Sequence, residues 1–299
     1  VNWFVWAKKT LLLLGFALIL SGVIFFFAYN WAEMGKFLKF GLIEVGIMTC
    51  LIVSYLKDNK SLTSKILLLS ASILVGVLLA VYGQTYQTGA DAFGLFLGWA
   101  GLIFGWVLIS DFAALWLIWL ILVNTGSILC WQQVGYPSYA IPYEFLCISL
   151  AFLNAIALAL REWGVQKQWE WLNGIWLRIV LVISVFTYLS IPTIDQIVAI
   201  RYREEVSSFV GFVWLIVAVG GYYCYRNILR DMISIAIIVM NASVILLTIF
   251  GKALFSSSSD VIGLFLFFAF VIVGVVTGAV FLLKYIAKNM ETEAKDLPQ

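Results

Sequence analysis

Histidine is absent from all 299 residues, and that one absence removes several reaction classes. A Ser/His/Asp or Cys/His catalytic arrangement, a His-ligated haem and nearly every protein zinc site need an imidazole. Cysteine is scarce too. Cys50, Cys130, Cys147 and Cys224 all fall inside apolar runs, with no C-x-x-C pair, and read as small buried residues rather than ligands or disulfides. No G-x-x-x-x-G-K-[ST] run occurs, because Gly35-Lys36 and Gly251-Lys252 lack the upstream glycine; a nucleotide engine of the P-loop kind is excluded. Charge is equally sparse. Only 11% of residues are Asp, Glu, Lys or Arg, against about 25% in an average soluble domain. The net charge of +2 is small and dispersed, which excludes the concentrated basic face of a nucleic-acid binder.

What fills the chain instead is hydrocarbon. Hydrophobic residues make up 64% of the sequence and the mean hydropathy is +1.05. In a bilayer every backbone N–H and C=O must be satisfied inside the segment, so a span needs roughly 20 mostly apolar helical residues. Ten segments qualify, at Thr10 to Tyr29, Phe40 to Leu56, Ile66 to Val81, Ala92 to Ile109, Phe112 to Cys130, Tyr143 to Leu160, Ile175 to Ser190, Ser208 to Tyr225, Met232 to Phe250 and Val261 to Tyr285. The expected fold class is therefore all-α, a polytopic transmembrane helix bundle. The first run lacks a small-residue cleavage pattern and reads as a true span.

Basic residues set the expected orientation. Lys8, Lys9, Lys57, Lys60, Lys65, Arg161, Lys167, Arg226, Arg230, Lys284, Lys288 and Lys295 lie on one side, and Lys36, Lys39, Arg201, Arg203 and Lys252 on the other. Both termini are thus expected in the cytoplasm, with Arg178 snorkelling from the cytoplasmic end of the seventh span. Tryptophans at span ends, including Trp3, Trp6, Trp31, Trp163, Trp169, Trp171 and Trp176, read as interfacial anchors. Connections are short. The run Ile191 to Ser207 after the seventh span is patterned as an amphipathic helix on the outer surface, and Ser256 to Ser259 before Asp260 as a cap for the tenth span. Without an internal repeat, an inverted-repeat transporter is disfavoured.

One polar stretch interrupts the apolar sequence. Between the third and fourth spans the chain reads Gly83-Gln84-Thr85-Tyr86-Gln87-Thr88-Gly89-Ala90-Asp91. Small residues flank it at helical spacing: Ser72, Gly76, Ala80 and Gly83 before, Gly94, Gly98, Gly101 and Gly105 after. Such rows let helices approach closely in lipid, so a tight hairpin with the loop at its outer apex is expected. Gln84, Tyr86, Gln87 and Asp91 then form a candidate polar binding site for a small ligand, lipid headgroup or protein segment; the bland alternative is that they terminate two helices, with Asp91 favouring the helix dipole. Glu44 and Glu144, ionisable groups near span ends, are further candidates, whereas Asn124, Asn154 and Asn241 read as interhelical hydrogen-bonding residues. No catalytic residue, metal ligand or cofactor site is expected.

Several of these stretches together resemble a known family. Phe25 to Ala28 with Asn30-Trp31, Lys39-Phe40-Gly41-Leu42-Ile43-Glu44, and above all Tyr82 to Phe93 followed by Leu95, Phe96 and Trp99 are similar to the bacterial predicted membrane proteins catalogued as domain of unknown function 2157. The resemblance covers roughly residues 1–125, leaving 126–285 as further spans of the same bundle and 286–299 as a short polar cytoplasmic tail. It implies a multi-pass protein of the bacterial inner (plasma) membrane. Such proteins resemble, and occur alongside, other small or multi-pass membrane proteins, which implies a complex. Two functional expectations follow: a non-enzymatic subunit or scaffold of a cell-envelope membrane complex, or a transporter or lipid-handling protein with an outward-facing site at loop 83–91. Membrane lipids are partners under either; nucleic acid is not.

Overall fold

A computed structural model describes residues 3–29, 33–58, 61–89, 91–136, 141–199, 209–255 and 261–295. Among them are ten helices and no strands. They are α1 (Trp3–Tyr29), α2 (Lys36–Leu56), α3 (Leu62–Tyr86), α4 (Ala92–Ile109), α5 (Ala113–Cys130), α6 (Tyr143–Gln166), α7 (Ile175–Ala199), α8 (Phe209–Tyr223), α9 (Met232–Phe255) and α10 (Val261–Lys295). Each, α8 taken together with the π-helical turn that follows it, is long and apolar enough to cross a membrane, so the all-helical, ten-span reading holds. Two π-helical turns, Trp131–Gly135 and Cys224–Ile228, extend α5 and α8. The chain divides into two compact units, Val1–Tyr139 and Ala140–Gln299.

In the first unit α2 packs along α3 and α4 along α5, while α3 also meets α4. Ile43 and Ile47 of α2, Leu74 of α3, Ile103 of α4 and Leu115 of α5 form its buried centre. A serine clasp closes the α2–α3 turn. Ser54 Oγ donates to the Ser64 carbonyl at 3.0 Å and Ser64 Oγ to the Ser54 carbonyl at 2.9 Å, with Ser61 capping α3 by accepting from Ser64 N–H. Lys65 Nζ donates to the Asp111 carbonyl at 2.8 Å, tying the start of α3 to the α4–α5 turn. α1 is set apart, with no buried residue among those described.

The second unit is built around α7, its most buried helix, which packs against α6, α8 and α9; α10 lies on α9. The helix does not stop at Ser190 as the sequence predicts. It continues through Pro192 to Ala199, so residues 191–199 of the expected surface helix belong to α7, and its remainder, residues 200–207, lies outside the described residues. Along this extension Thr193 Oγ1 donates to Leu189 O at 2.7 Å, and Lys252 Nζ of α9 to Ile197 O. Leu189, Ser190 and Thr193 are all buried, so packing holds the helix together where local sequence alone would end it. Ser256 to Ser259 and Asp260, like Asn30 and Trp31, also lie outside the described residues.

Where α3 meets α4, the contact is an indole. Trp99 lies over Gly76, where any Cβ would overlap its ring, and Trp99 Nε1 donates to the Ser72 carbonyl at 2.7 Å. Overpacking a well-filled site typically destabilises by about 1–3 kcal/mol. Gly76→Ala is therefore expected to lower the midpoint of thermal unfolding in detergent, while Gly98→Ala, with nothing near its Cβ position, leaves it unchanged.

Candidate functional sites

α3 runs on through Tyr86, so Gly83, Gln84, Thr85 and Tyr86 of the stretch expected as loop 83–91 form its last turn, and the chain leaves the helix at Gln87. Gln87 adopts the left-handed conformation, with φ 44° and ψ 47°, and Thr88 N–H returns to the Gly83 carbonyl at 3.3 Å in a Schellman-type stop. Tyr86 is not free to meet a ligand with its whole ring. It stacks on Phe40 of α2 at 6.0 Å, sits 4.9 Å from the Tyr82 ring, and has Lys36 Nζ 5.8 Å from its centroid, within cation–π range. Beside it Thr85 Oγ1 is buried with no hydrogen-bond partner. Gln84, Gln87 and Asp91 are exposed. Asp91 takes the N-cap position of α4 without a side-chain cap bond, its carbonyl accepting from Gly94 N–H at 3.0 Å. Glu44 is exposed on α2, and Glu144 stands half-buried in the first turn of α6, in the other unit. Among the described residues no hydrogen bond or ion pair joins these six side chains. Only Tyr86 of the six is drawn into a cluster.

The small-residue rows part company. On α3, Ser72 and Gly76 are buried, Ala80 is half-buried, and the position of a Cβ on Gly83 meets only Thr88 of its own loop. On α4, a Cβ at Gly94, Gly98, Gly101 or Gly105 would meet nothing within 4 Å. The hairpin closes instead through Trp99, one residue and about 100° around the helix from Gly98, and α4 meets α5 by laying Leu97 on Gly126. The four-glycine row of α4 is left open.

The second unit holds the polar cluster that the sequence did not disclose. Arg178, in the first turn of α7, makes a bidentate pair with Glu162 of α6: Nε to Oε1 at 2.8 Å and Nη2 to Oε2 at 3.0 Å. Its Nη1 reaches Asp231 Oδ1 at 3.0 Å. Arg161 Nη1 adds a third bond to Glu162, at 2.9 Å, and its Nη2 donates to the Gly174 carbonyl. The other oxygen of Asp231 caps α9 by accepting from Ser234 N–H at 2.9 Å. Two cations and two carboxylates therefore cancel while joining α6, α7 and the start of α9. Arg161 is 3% and Glu162 8% exposed, so these charges are held inward. Arg178 is paired, where the sequence predicts it to snorkel. Arg161 Nε and Ser234 Oγ remain buried without partners. No local signal pointed to this cluster beyond the adjacent Arg161-Glu162 pair at the end of an apolar run, since its four members come from three separate segments.

Asn241 forms a second polar node. Its Oδ1 accepts from Ser190 Oγ at 3.0 Å and from Trp214 Nε1 at 2.9 Å, linking α9 to α7 and α8. Asn124 and Asn154 each donate to a carbonyl of their own helix, Leu120 O and Leu150 O. Among the described residues no three His, Cys, Asp or Glu side chains are grouped to hold a metal ion.

Residues 6–116 match the family model described as predicted membrane protein (DUF2157). The matched part contains α1 to α4, loop 83–91, Glu44 and both small-residue rows, in agreement with the resemblance carried by Tyr82 to Phe93. It ends before every member of the ionic cluster. No curated protein and no solved structure matches the chain.

Removing one partner of a buried pair leaves an uncompensated charge, destabilising by about 3–5 kcal/mol, whereas exposed pairs contribute about 0–1 kcal/mol. Glu162→Gln is thus expected to lower the unfolding midpoint of the purified protein sharply. Glu293→Gln, which breaks the solvent-facing pair with Arg226, shifts it little. Equal shifts for the two variants would show that the Glu162 cluster carries no special share of stability.

Proposed function

We propose that this multi-pass membrane protein is a non-enzymatic subunit or scaffold of a cell-envelope complex in the bacterial inner (plasma) membrane, and that α4 receives a helix of a partner membrane protein. The supporting observation is the open row Gly94, Gly98, Gly101 and Gly105 on a helix whose other contacts are already made through Trp99 and Leu97. Lipid tails are as apolar as leucine side chains, so apolar exposure alone drives no helix association. Close backbone approach over small residues does. Leu102, Ile109 and Leu108 around the row are exposed as well, giving a flat strip with a recessed spine. Loop 83–91 stands at the outer end of the same helix, and Gln84, Gln87 and Asp91 supply polar groups for the partner's emerging segment.

The transport alternative draws less support. None of Gln84, Gln87, Asp91 and Glu44 lines the groove between α1, α2 and α3, which is walled by Phe16, Val23, Phe26, Leu42 and Leu74 with only Ser70 and Thr49 as polar side chains. Such a groove suits hydrocarbon.

A photo-crosslinking side chain at Leu102 is expected to capture one defined membrane protein in the native membrane, and one at Ile216 of α8 to capture none of it. Gly98→Leu is expected to reduce its stoichiometric co-purification at least tenfold. An unchanged ratio in Gly98→Leu, or equal capture from Ile216, would sink the docking reading.

A further inference from the structure

A cleft in the second unit carries an inference independent of α4. α6 and α8 both flank α7, and between them is a gap of about 530 Å³ floored by Val182, Val185 and Phe186 of α7. On the α6 side its walls run from Ala155 to Gln166, about 16 Å along the axis at 1.5 Å per residue. A slot this long, lined almost wholly by apolar side chains, fits an extended hydrocarbon chain better than a compact solute. Gly220 of α8 opens the wall, since a Cβ there would meet nothing within 4 Å. The π-helical turn Cys224–Ile228, a backbone feature frequent at functional sites, forms the end of the α8 wall.

Only one end of the slot is polar. Glu162, Trp163 and Gln166 line it there, and Lys167 Nζ lies 5.9 Å from the centroid of the Trp163 ring. Trp163 also meets Trp169 edge to face at 5.4 Å, which fixes the indole at the mouth. An acidic side chain at this place would repel an anionic group, but both Glu162 oxygens already accept from Arg161 and Arg178. The exposed ammonium of Lys167 and the amide of Gln166 are left to face a headgroup. Tryptophan and lysine beside hydrocarbon are the residue types that settle at the headgroup level of a bilayer.

We propose that the α6–α8 cleft is a binding site for one phospholipid, its acyl chain lying over Val182, Val185 and Phe186 and its phosphate at Lys167 and Gln166 beside Trp163. The cleft offers hydrocarbon along its length, and beyond its lining the Lys167 ammonium stands against Trp163, so the ligand class is an amphiphile with a phosphate, not free phosphate and not a neutral lipid.

The test uses the full chain, delipidated in detergent and titrated with dioleoyl phosphatidylglycerol under native mass spectrometry. One saturable molecule per chain is expected, with dioleoylglycerol at least tenfold weaker and inorganic phosphate neither bound nor competing. Gly220→Leu, which fills the slot, is expected to abolish that molecule, and Ile216→Phe, on an exposed part of α8 outside the lining, to leave it intact. Lys167→Gln, at an exposed position where folding is not at stake, is expected to weaken binding about tenfold, and so keeps the proposal testable if Gly220→Leu does not fold. Binding by Gly220→Leu or Lys167→Gln equal to the parent protein, dioleoylglycerol binding as tightly as the phospholipid, or displacement by inorganic phosphate would each overturn it.

Discussion

A peptide group without a partner is destabilised by several kcal/mol in hydrocarbon, and this constraint organises nearly every polar atom in the two units. The helices satisfy their own backbones, and many hydroxyl and amide side chains fold back on them. Ser72 donates to Leu68 O, Ser184 to Val180 O, Thr193 to Leu189 O, Ser243 to Val239 O and Asn154 to Leu150 O, all four residues upstream. A bond of this kind hides the donor without needing a second helix. The donors that do cross between helices are often indoles: Trp99 to Ser72 O, Trp119 to Ala100 O and Trp214 to Asn241 Oδ1. An indole suits the task because it has one donor, no acceptor to satisfy, and a large apolar body to bury around it. Trp99, Trp119 and Trp214 are thus cross-links between helices, a role apart from the interfacial anchoring expected of tryptophans at span ends.

Charge meets the same constraint differently. A lone ion cannot be hidden, so the second unit hides four together. Neutrality comes from two guanidinium groups and two carboxylates, and directionality from the planar fork of Arg178, which bonds Glu162 through two nitrogens and Asp231 through the third. Apolar replacements of similar volume can be as stable as such clusters. What the ions add is geometry: only one arrangement of α6, α7 and the start of α9 lets all the bonds form at once. The same arrangement removes the negative charge of Glu162 from the adjoining cleft, so its local electrostatics depend on pairing done one layer away.

Hydrophobic length and composition made the ten helices legible, because a bilayer admits so few backbone solutions. The break expected at Pro192 was not a break, since burial outweighs the local preference of proline. Helical spacing identified the Gly94 to Gly105 row as one face but could not say what that face meets; Trp99, on a neighbouring face, decides how α3 and α4 approach. Tyr86, read as part of a polar site, turned out to be held by Phe40, Tyr82 and Lys36, contacts made across two helices that no local pattern encodes. The ionic cluster was illegible for the same reason. Arg161 and Glu162 are adjacent, but Arg178 and Asp231 arrive from other segments, and a cation near a span end looks the same in sequence whether it reaches outward or is paired inward.

These two kinds of feature differ in what they leave for other molecules. In water an exposed apolar face signals a missing partner, but Phe212, Ile216 and Val219 on α8 are exposed and need none in a bilayer. A departure from a smooth apolar cylinder is the informative feature there. A recessed spine of glycines shortens the distance at which another backbone can pack, and a gap between two helices that share a neighbour creates an apolar slot along their length. The first unit has the spine on α4, and the second has the slot between α6 and α8. The proposed partner helix and the proposed lipid chain therefore rest on separate surfaces, each carried by its own observation.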